Sequence, residues 1–261
     1  VRRTWLLVAG AISIVGCATI VSRFGVRPAA WPHPQRDASW HARHEAKVAE
    51  AKRRAGQVDL LFVGDSITQN YERAESPGYL NFRPIWDEFF APHRAMNLGF
   101  NADRTANVLW RLRHGEVDGL SPTNVVLLIG TNNLSAGFLA PHGETPADVT
   151  AGILAIVSEL HSRMPGARIL VLSILPTTFS ADRTARADAV NARVQAAVAA
   201  LPFARWLDVT GIFLDRRREG SRVRQELFYD PLLYPGSAAL HPTAAGQRMM
   251  AEAVARALYA D

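Results

Sequence analysis

The chain predicts an α/β fold in which five parallel strands form a doubly wound sheet, and three observations lead there. Short apolar runs alternate with longer stretches of helical character from residue 58 onwards. Each run is too short for a helix and ends in turn-forming or polar residues. Chemically suggestive side chains fall just after the first three runs, where an open α/β sheet binds its ligands.

The apolar, β-branched or aromatic runs are 58–63, 95–98, 125–129, 169–175 and 203–209. Helices are predicted between them over 84–90, 104–113, 146–164 and 182–201. In the third of these, Val149, Ile153, Ile156, Val157 and Leu160 recur at helical spacing and are expected to face the sheet. A last helix spans 243–259, with Thr243 placed to cap it. Upstream, residues 39–54 are rich in Ala, Glu, Lys and Arg and predict a helix. His41 and His44 share one face of it, which reads as solvated, because no third metal ligand stands nearby. The prolines at 28, 32 and 34 predict an extended spacer before that helix.

The bulk numbers suit one sizeable buried core: 261 residues, 48% hydrophobic and 20% charged. The net charge of +5 does not imply nucleic acid, because the arginines are scattered among acids, as at Arg183, Arg186, Asp188 and Arg193. Only Arg216-Arg217-Arg218 forms a short run that could serve as a local anion patch. The single cysteine, Cys17, excludes an intramolecular disulfide.

Arg2-Arg3 followed by an apolar stretch from Trp5 to Val21 has the pattern of an export signal. Three fates are open: an uncleaved membrane anchor, lipidation at Cys17 in the lipobox-like Ile14-Val15-Gly16-Cys17, or cleavage near Ala18 or beyond. All three put the rest of the chain outside the cytoplasm, in the periplasm or facing it from a membrane. Val1 in first place reads as a non-standard start codon and suggests a bacterial gene. The expected organisation is a signal or anchor over 1–24, a linker and helix over 25–56, and one catalytic domain over 57–261.

Four residues stand where chemistry is expected. Ser66 lies where a strand turns toward a helix, so it can expose its hydroxyl and its own backbone N–H, although the spacing is not the Gly-x-Ser-x-Gly elbow of α/β-hydrolases. Gly99 lacks a Cβ and lets a backbone N–H approach a substrate. Asn132 offers a side-chain amide to an oxyanion, and His241, held by Pro242, can take a proton from a serine. Each alone reads as an ordinary turn, capping or structural residue; together, in this order and at strand ends, they form a pattern.

That pattern resembles the four blocks of the SGNH/GDSL hydrolases. The first is Phe62-Val63-Gly64-Asp65-Ser66-Ile67-Thr68-Gln69, and the second Asn97-Leu98-Gly99-Phe100-Asn101-Ala102-Asp103-Arg104-Thr105, running on through Val108-Leu109-Trp110-Arg111-Leu112. Ile129-Gly130-Thr131-Asn132-Asn133 and Leu240-His241-Pro242-Thr243 with Gly246 complete it. The Val-Leu-Trp-Arg-Leu run, Gly115-Glu116 and Gly-Thr-Asn-Asn look like the subgroup of platelet-activating-factor acetylhydrolase catalytic subunits and bacterial carbohydrate acetylesterases. The resemblance implies a flavodoxin-like three-layer α/β/α sandwich with a five-stranded parallel sheet. It also implies a Ser66 nucleophile, a His241 base, an oxyanion hole of Ser66 N–H, Gly99 N–H and Asn132, and no cofactor or metal.

Two positions depart from the family. Ala102 replaces a usual second glycine in the second block. Ala238 stands where the triad Asp normally precedes the His by three residues. The stretch Leu227-Phe228-Tyr229-Asp230-Pro231-Leu232 looks like the family's lead-in to that Asp, which makes Asp230 the expected triad member and Leu233 to Ala239 an insertion. Asp208, Asp215, a Ser–His dyad and an inactive site stay open beside it. The expected function is an exported serine esterase that removes short acyl groups, acetyl first, from a carbohydrate or another small ester. A lipid esterase or lysophospholipase, or a catalytically impaired glycan-binding or assembly protein, are the alternatives. A membrane partner is expected only through the N-terminal segment.

Overall fold

Both faces of the sheet are apolar, which is why its strands read as continuous apolar runs rather than alternating ones. The computed structural model describes residues 29–135, 143–215 and 222–259. The N-terminal segment expected to direct export, with Cys17, and the run Arg216-Arg217-Arg218 lie outside the described residues. The main sheet is β1 (Leu60–Gly64), β2 (Ala95–Gly99), β3 (Asn124–Leu128), β4 (Arg168–Leu172) and β5 (Ala204–Leu207). Its order is β2-β1-β3-β4-β5 and every pairing is parallel, so this is the flavodoxin-like arrangement expected. Gly64 pairs level with Gly99 on one side and Leu128 on the other. The carboxyl ends of the first three strands therefore finish together, at the point where the strand order reverses.

The helices are α1 (Ala38–Arg53), α2 (Ser66–Gln69), α3 (Arg83–Phe89), α4 (Thr105–Arg113), α5 (Pro146–Arg163), α6 (Ala181–Val198), α7 (Asp230–Leu233) and α8 (Ala244–Tyr259). Leu61, Val63, Val125, Leu127, Ile169 and Val171 pack on one side against α4, α5 and α6. Leu60, Phe62, Val126, Leu128, Leu170 and Leu172 pack on the other against α2, α3 and α8. This is the period-two alternation of strand side chains, and it produces three layers. Val149, Ile153, Ile156, Val157 and Leu160 are all buried in the first of these cores, as their spacing predicts.

Several boundaries differ from expectation for local reasons. The run 169–175 stops being strand at Leu172, because Ile174 exchanges its N–H and C=O bonds with the Asn191 side chain on α6, at 2.8 and 3.0 Å. The run 203–209 stops at Leu207, where the Asp208 carboxylate begins to accept from Thr210. The helix expected after Ser66 is only the four residues of α2, and the short α7 and the ribbon of β6 (Leu214–Asp215) with β7 (Arg222–Val223) have no counterpart among the expected elements.

The stretch before β1 is more than a spacer and a solvated helix. Thr105 Oγ1 donates to Ala29 O at 2.8 Å and Asn107 Nδ2 to His33 O at 3.0 Å. On α1, capped by Asp37, His44 is buried with its Nδ1 2.9 Å from Glu116 Oε1. The face carrying His44 thus packs against the sheet-bearing domain, a correction to the solvated reading. Its docking uses hydrogen bonds and charge pairs, which leave no apolar stripe in the sequence.

Candidate active site

Gly64 ends β1 in a space that admits no side chain. A Cβ there would sit 2.2 Å from Thr68 Oγ1 and 2.5 Å from Leu128 O, so α2 folds back tightly over the strand end only with glycine. Asp65 caps α2 by accepting the Ile67 N–H at 3.0 Å. Ser66 is the first residue of α2, so its own backbone N–H has no partner within the helix.

Ser66 Oγ lies 2.9 Å from His241 Nε2, and His241 Nδ1 lies 2.7 Å from Asp230 Oδ1. The other oxygen of Asp230 accepts the backbone N–H of Leu240, at 2.9 Å, and that of His241. The tautomer this chain of bonds demands has the proton on Nδ1, donated to Asp230, and a free lone pair on Nε2 toward Ser66. Burial pushes the Asp230 carboxyl up. The hydrogen bonds from the His241 ring, the His241 N–H and the Leu240 N–H outweigh it and hold the group below the usual carboxylate range. Asp230 is therefore ionised at neutral pH.

The imidazole is gripped from several sides. Tyr229 stacks on it with centroids 5.3 Å apart and planes 9° from parallel, and Tyr229 N–H donates to His241 O at 2.9 Å. The Tyr229 hydroxyl in turn meets Asn70 Nδ2 and Arg73 Nη1, each at 3.2 Å. Across the insertion, Thr177 Oγ1 donates to Ala239 O at 2.7 Å and Ala239 N–H to Thr178 Oγ1 at 2.9 Å. These bonds fold residues 233–239 out of the way, so that Asp230 and His241 meet. Asp208, an alternative carboxylate, is engaged by Thr210, and Asp215 sits in the β6–β7 ribbon opposite Arg222.

Asp65, beside Ser66 in the chain, faces inward. Burial raises its carboxyl to about 7, against the lowering effect of the Ile67 N–H and of His241, and its Oδ2 is buried without a hydrogen-bond partner among the described residues. Its role is to shape the strand–helix junction.

The loops after β2 and β3 supply amide donors, and here the structure corrects one expectation. The Gly99 N–H is not available to an oxyanion: it donates to Asn97 Oδ1 at 2.7 Å. Gly99 is needed for space, since a Cβ would lie 2.2 Å from Gln69 N. Three residues on, Ala102 is exposed and its N–H has no hydrogen-bond partner among the described residues. Ala102 has φ +59°, the left-handed region in which a non-glycine residue costs about 1–2 kcal/mol. Asn132 Nδ2 donates one hydrogen to Asp103 O at 2.9 Å, which ties it to this loop and leaves its second hydrogen without a partner among the described residues. Asn133 fastens the same two loops, accepting from Thr105 N at 3.1 Å and donating to Thr105 Oγ1 at 2.9 Å.

Sequence reasoning missed the residues that brace these groups. Asn97 holds Gly99 and donates to Thr68 O at 2.8 Å, and Gln247 Nε2 donates to Ile67 O at 2.7 Å across from α8. Asn97 is the one polar residue of an otherwise apolar strand run, which is the available signal; Gln247, between Gly246 and Arg248, carries none. What results is a serine hydroxyl on a histidine ring, a carboxylate behind that ring, and amide donors nearby. Such a constellation can carry out acyl transfer.

Residues 62–249 match the model of the GDSL-like Lipase/Acylhydrolase family. The chain is 38% identical over 186 residues to the platelet-activating factor acetylhydrolase IB subunit alpha1 of Bos taurus, covering 69% of this chain and 72% of that protein. It is 35% identical over 192 residues to the corresponding subunit alpha2 of Rattus norvegicus, covering 72% and 76%. Among solved structures, a GDSL-like lipase from Bacteroides thetaiotaomicron superposes with a TM-score of 0.62 at 18% identity, over 83% of this chain and 97% of that one. An acetyl-xylooligosaccharide esterase from Geobacillus stearothermophilus superposes at 0.58 and 17% identity, over 78% and 95%. Both share the fold.

Proposed function

The chain belongs to the GDSL-like lipase/acylhydrolase family and is a carboxylic ester hydrolase; from that premise we propose that Ser66, His241 and Asp230 form its catalytic triad and that it removes acetyl groups from a carbohydrate outside the cytoplasm. The observation that carries the reading is the unbroken line of bonds from Ser66 Oγ through both nitrogens of His241 to Asp230.

In the reaction Ser66 Oγ attacks the ester carbonyl while His241 Nε2 takes the hydroxyl proton, and ionised Asp230 stabilises the imidazolium that forms. The tetrahedral oxyanion is held by the Ser66 N–H, the Ala102 N–H and the second Asn132 amide hydrogen. Collapse passes the proton from Nε2 to the departing alkoxide and leaves an acetyl ester on Ser66. Water, deprotonated by His241, then releases acetate and restores the serine.

Three features support an acetylated glycan. The fold is shared with an acetyl-xylooligosaccharide esterase. Tyr234, 70% exposed, and Phe179, 53% exposed, stand beside the segments that carry Asp230 and Ala239, and flat exposed rings suit sugar faces. Arg2-Arg3 with the following apolar stretch favours export to where such glycans lie.

The test is acetate release from acetylated xylooligosaccharides, run beside p-nitrophenyl esters of increasing chain length. Ser66→Ala should abolish release, and acetyl should be preferred to longer acyl groups. Undiminished release by Ser66→Ala, or a preference for long chains, would remove this reading in favour of another nucleophile or of a lipid substrate.

A further inference from the structure

We propose that Gln35 and Trp40, which precede the sheet and lie outside the family-matched region, are positioning residues that hold the Ala102 N–H on the reacting carbonyl. The proposal rests on the reading of Ala102 as an oxyanion donor.

A non-glycine residue in the left-handed region persists only where its surroundings over-determine it. Ala102, at φ +59°, is so held through both neighbours. On one side Asn101 donates its N–H to Gln69 Oε1 at 2.6 Å. On the other, Asp103 is fully buried and its Oδ2 accepts from Arg111 Nε at 2.7 Å. The Asp103 N–H closes a turn on Phe100 O at 3.2 Å and Asp103 O accepts from Asn132, and further contacts come from the N-terminal stretch. Gln35 Nε2 reaches both Asn101 O, at 3.0 Å, and Asp103 Oδ1, at 2.7 Å. One amide group thus splints the backbone across Ala102. Trp40 Nε1 donates to the same Asp103 Oδ1 at 2.7 Å.

The donors themselves are anchored. The Trp40 ring packs against Phe100 and Trp110, with centroids 5.7 and 5.6 Å away. Arg43, one turn along α1, donates to Gly99 O at 2.9 Å and to Glu72 at 2.8 Å. His44 pairs with Glu116, which also binds Arg111. Helix α1 therefore holds the segment after β2 at Gly99, Phe100 and Asp103. Arg111 alone would keep Asp103 buried. Gln35 acts on the Asn101–Ala102 peptide directly, through Asn101 O in the same amide plane as the Ala102 N–H, and together with Trp40 it holds the Asp103 side chain that anchors the next residue.

Two variants test this. Trp40→Phe keeps the ring and removes only the N–H; Gln35→Ala removes the splint from a half-buried position and serves even if Trp40→Phe fails to fold. For hydrolysis of p-nitrophenyl acetate, each should lower kcat tenfold to a hundredfold, the range expected when a donor drifts by about an ångström, with KM changed less than twofold. The distinguishing readout is rescue. Glycine takes the left-handed conformation without strain, so in an Ala102→Gly background the loss of kcat should shrink to threefold or less. An unchanged kcat in both variants, or an equal loss in both backgrounds, would overturn the role. Ser66→Ala separates the two levels. If wild-type hydrolysis does not depend on Ser66, the triad reading itself falls and takes this one with it; if it does and the clamp variants behave like wild type, only the clamp falls.

Discussion

Asp230 and His241, eleven residues apart in the chain, meet with Oδ1 2.7 Å from Nδ1, although the family's usual aspartate position is occupied by Ala238. The insertion between them is absorbed by α7 and by the turn pinned to Thr177 and Thr178. The same carboxylate also accepts two backbone N–H groups, so it builds the loop as well as facing the ring.

For that reason Asp230→Asn should separate folding from activity. An amide at this position favours the wrong imidazole tautomer, and kcat should fall by about 10³ to 10⁴. The melting temperature should move by only a few degrees, because an amide oxygen can still accept the N–H groups of Leu240 and His241. Steady-state kinetics beside thermal unfolding check both parts; an activity within tenfold of wild type would rule out Asp230 as the orienting carboxylate.

Asp65 should make stability depend on pH in the direction opposite to a salt-bridged acid. Its carboxyl is raised from 3.8 to about 7 by burial, so between those values the native state binds a proton that the unfolded chain has lost. Stability is then fully present below about pH 4, declines as pH rises toward 7, and is level above it. A rise from 3.8 to about 7 corresponds to about 4 kcal/mol. Asp65→Asn, which can still cap Ile67, should flatten this decline in urea titrations between pH 4.5 and 7.5. An identical slope in the variant would assign the decline to other groups.

Gly99 and Ala102 should respond oppositely to exchange of their residue types. Gly99→Ala forces a methyl to 2.2 Å from Gln69 N and should destabilise by about 3 kcal/mol. Ala102→Gly removes left-handed strain but adds unfolded-state entropy, so its stability should stay within about 1 kcal/mol of wild type. Chemical denaturation of both variants measures the contrast, and a tolerated Gly99→Ala would contradict the packing described.

The Asp103–Arg111–Glu116 group should act as a dry ionic core. All three side chains are fully buried, with Arg111 between the two acids. Arg111→Met leaves two buried carboxylates facing each other without a cation and should cost about 3–5 kcal/mol. Because the group is shielded, the cost measured by urea unfolding should be the same at low and high salt. A cost that shrinks with added salt would mean that the group is solvated.

Much of this architecture is legible in the sequence, because strands buried on both faces leave short continuous apolar runs and α5 carries a periodic one. The extent of α2 and the existence of α7 are not, since four residues are too few to show a period. The docking of α1 escapes for a different reason: it is made by Gln35, Trp40, Arg43 and His44 through polar bonds, and such a helix has the composition of a solvated one. At the site, Ser66 and Asn132 are found from their place after strands, His241 from its place before the last helix, and all three from family resemblance. Gly99 and Ala102 could not be sorted that way. Which N–H of a loop is spent internally depends on backbone torsions, and a glycine kept for space looks the same in sequence as one kept to expose an amide.

The most direct test of the account is to label the protein with a fluorophosphonate and map the adduct by mass spectrometry, following its rate in wild type, His241→Ala and Asp230→Asn. The prediction is a single adduct on Ser66, at least a hundredfold slower in both variants while each remains folded. An adduct on another serine, or an undiminished rate in Asp230→Asn, would contradict a triad of Ser66, His241 and Asp230.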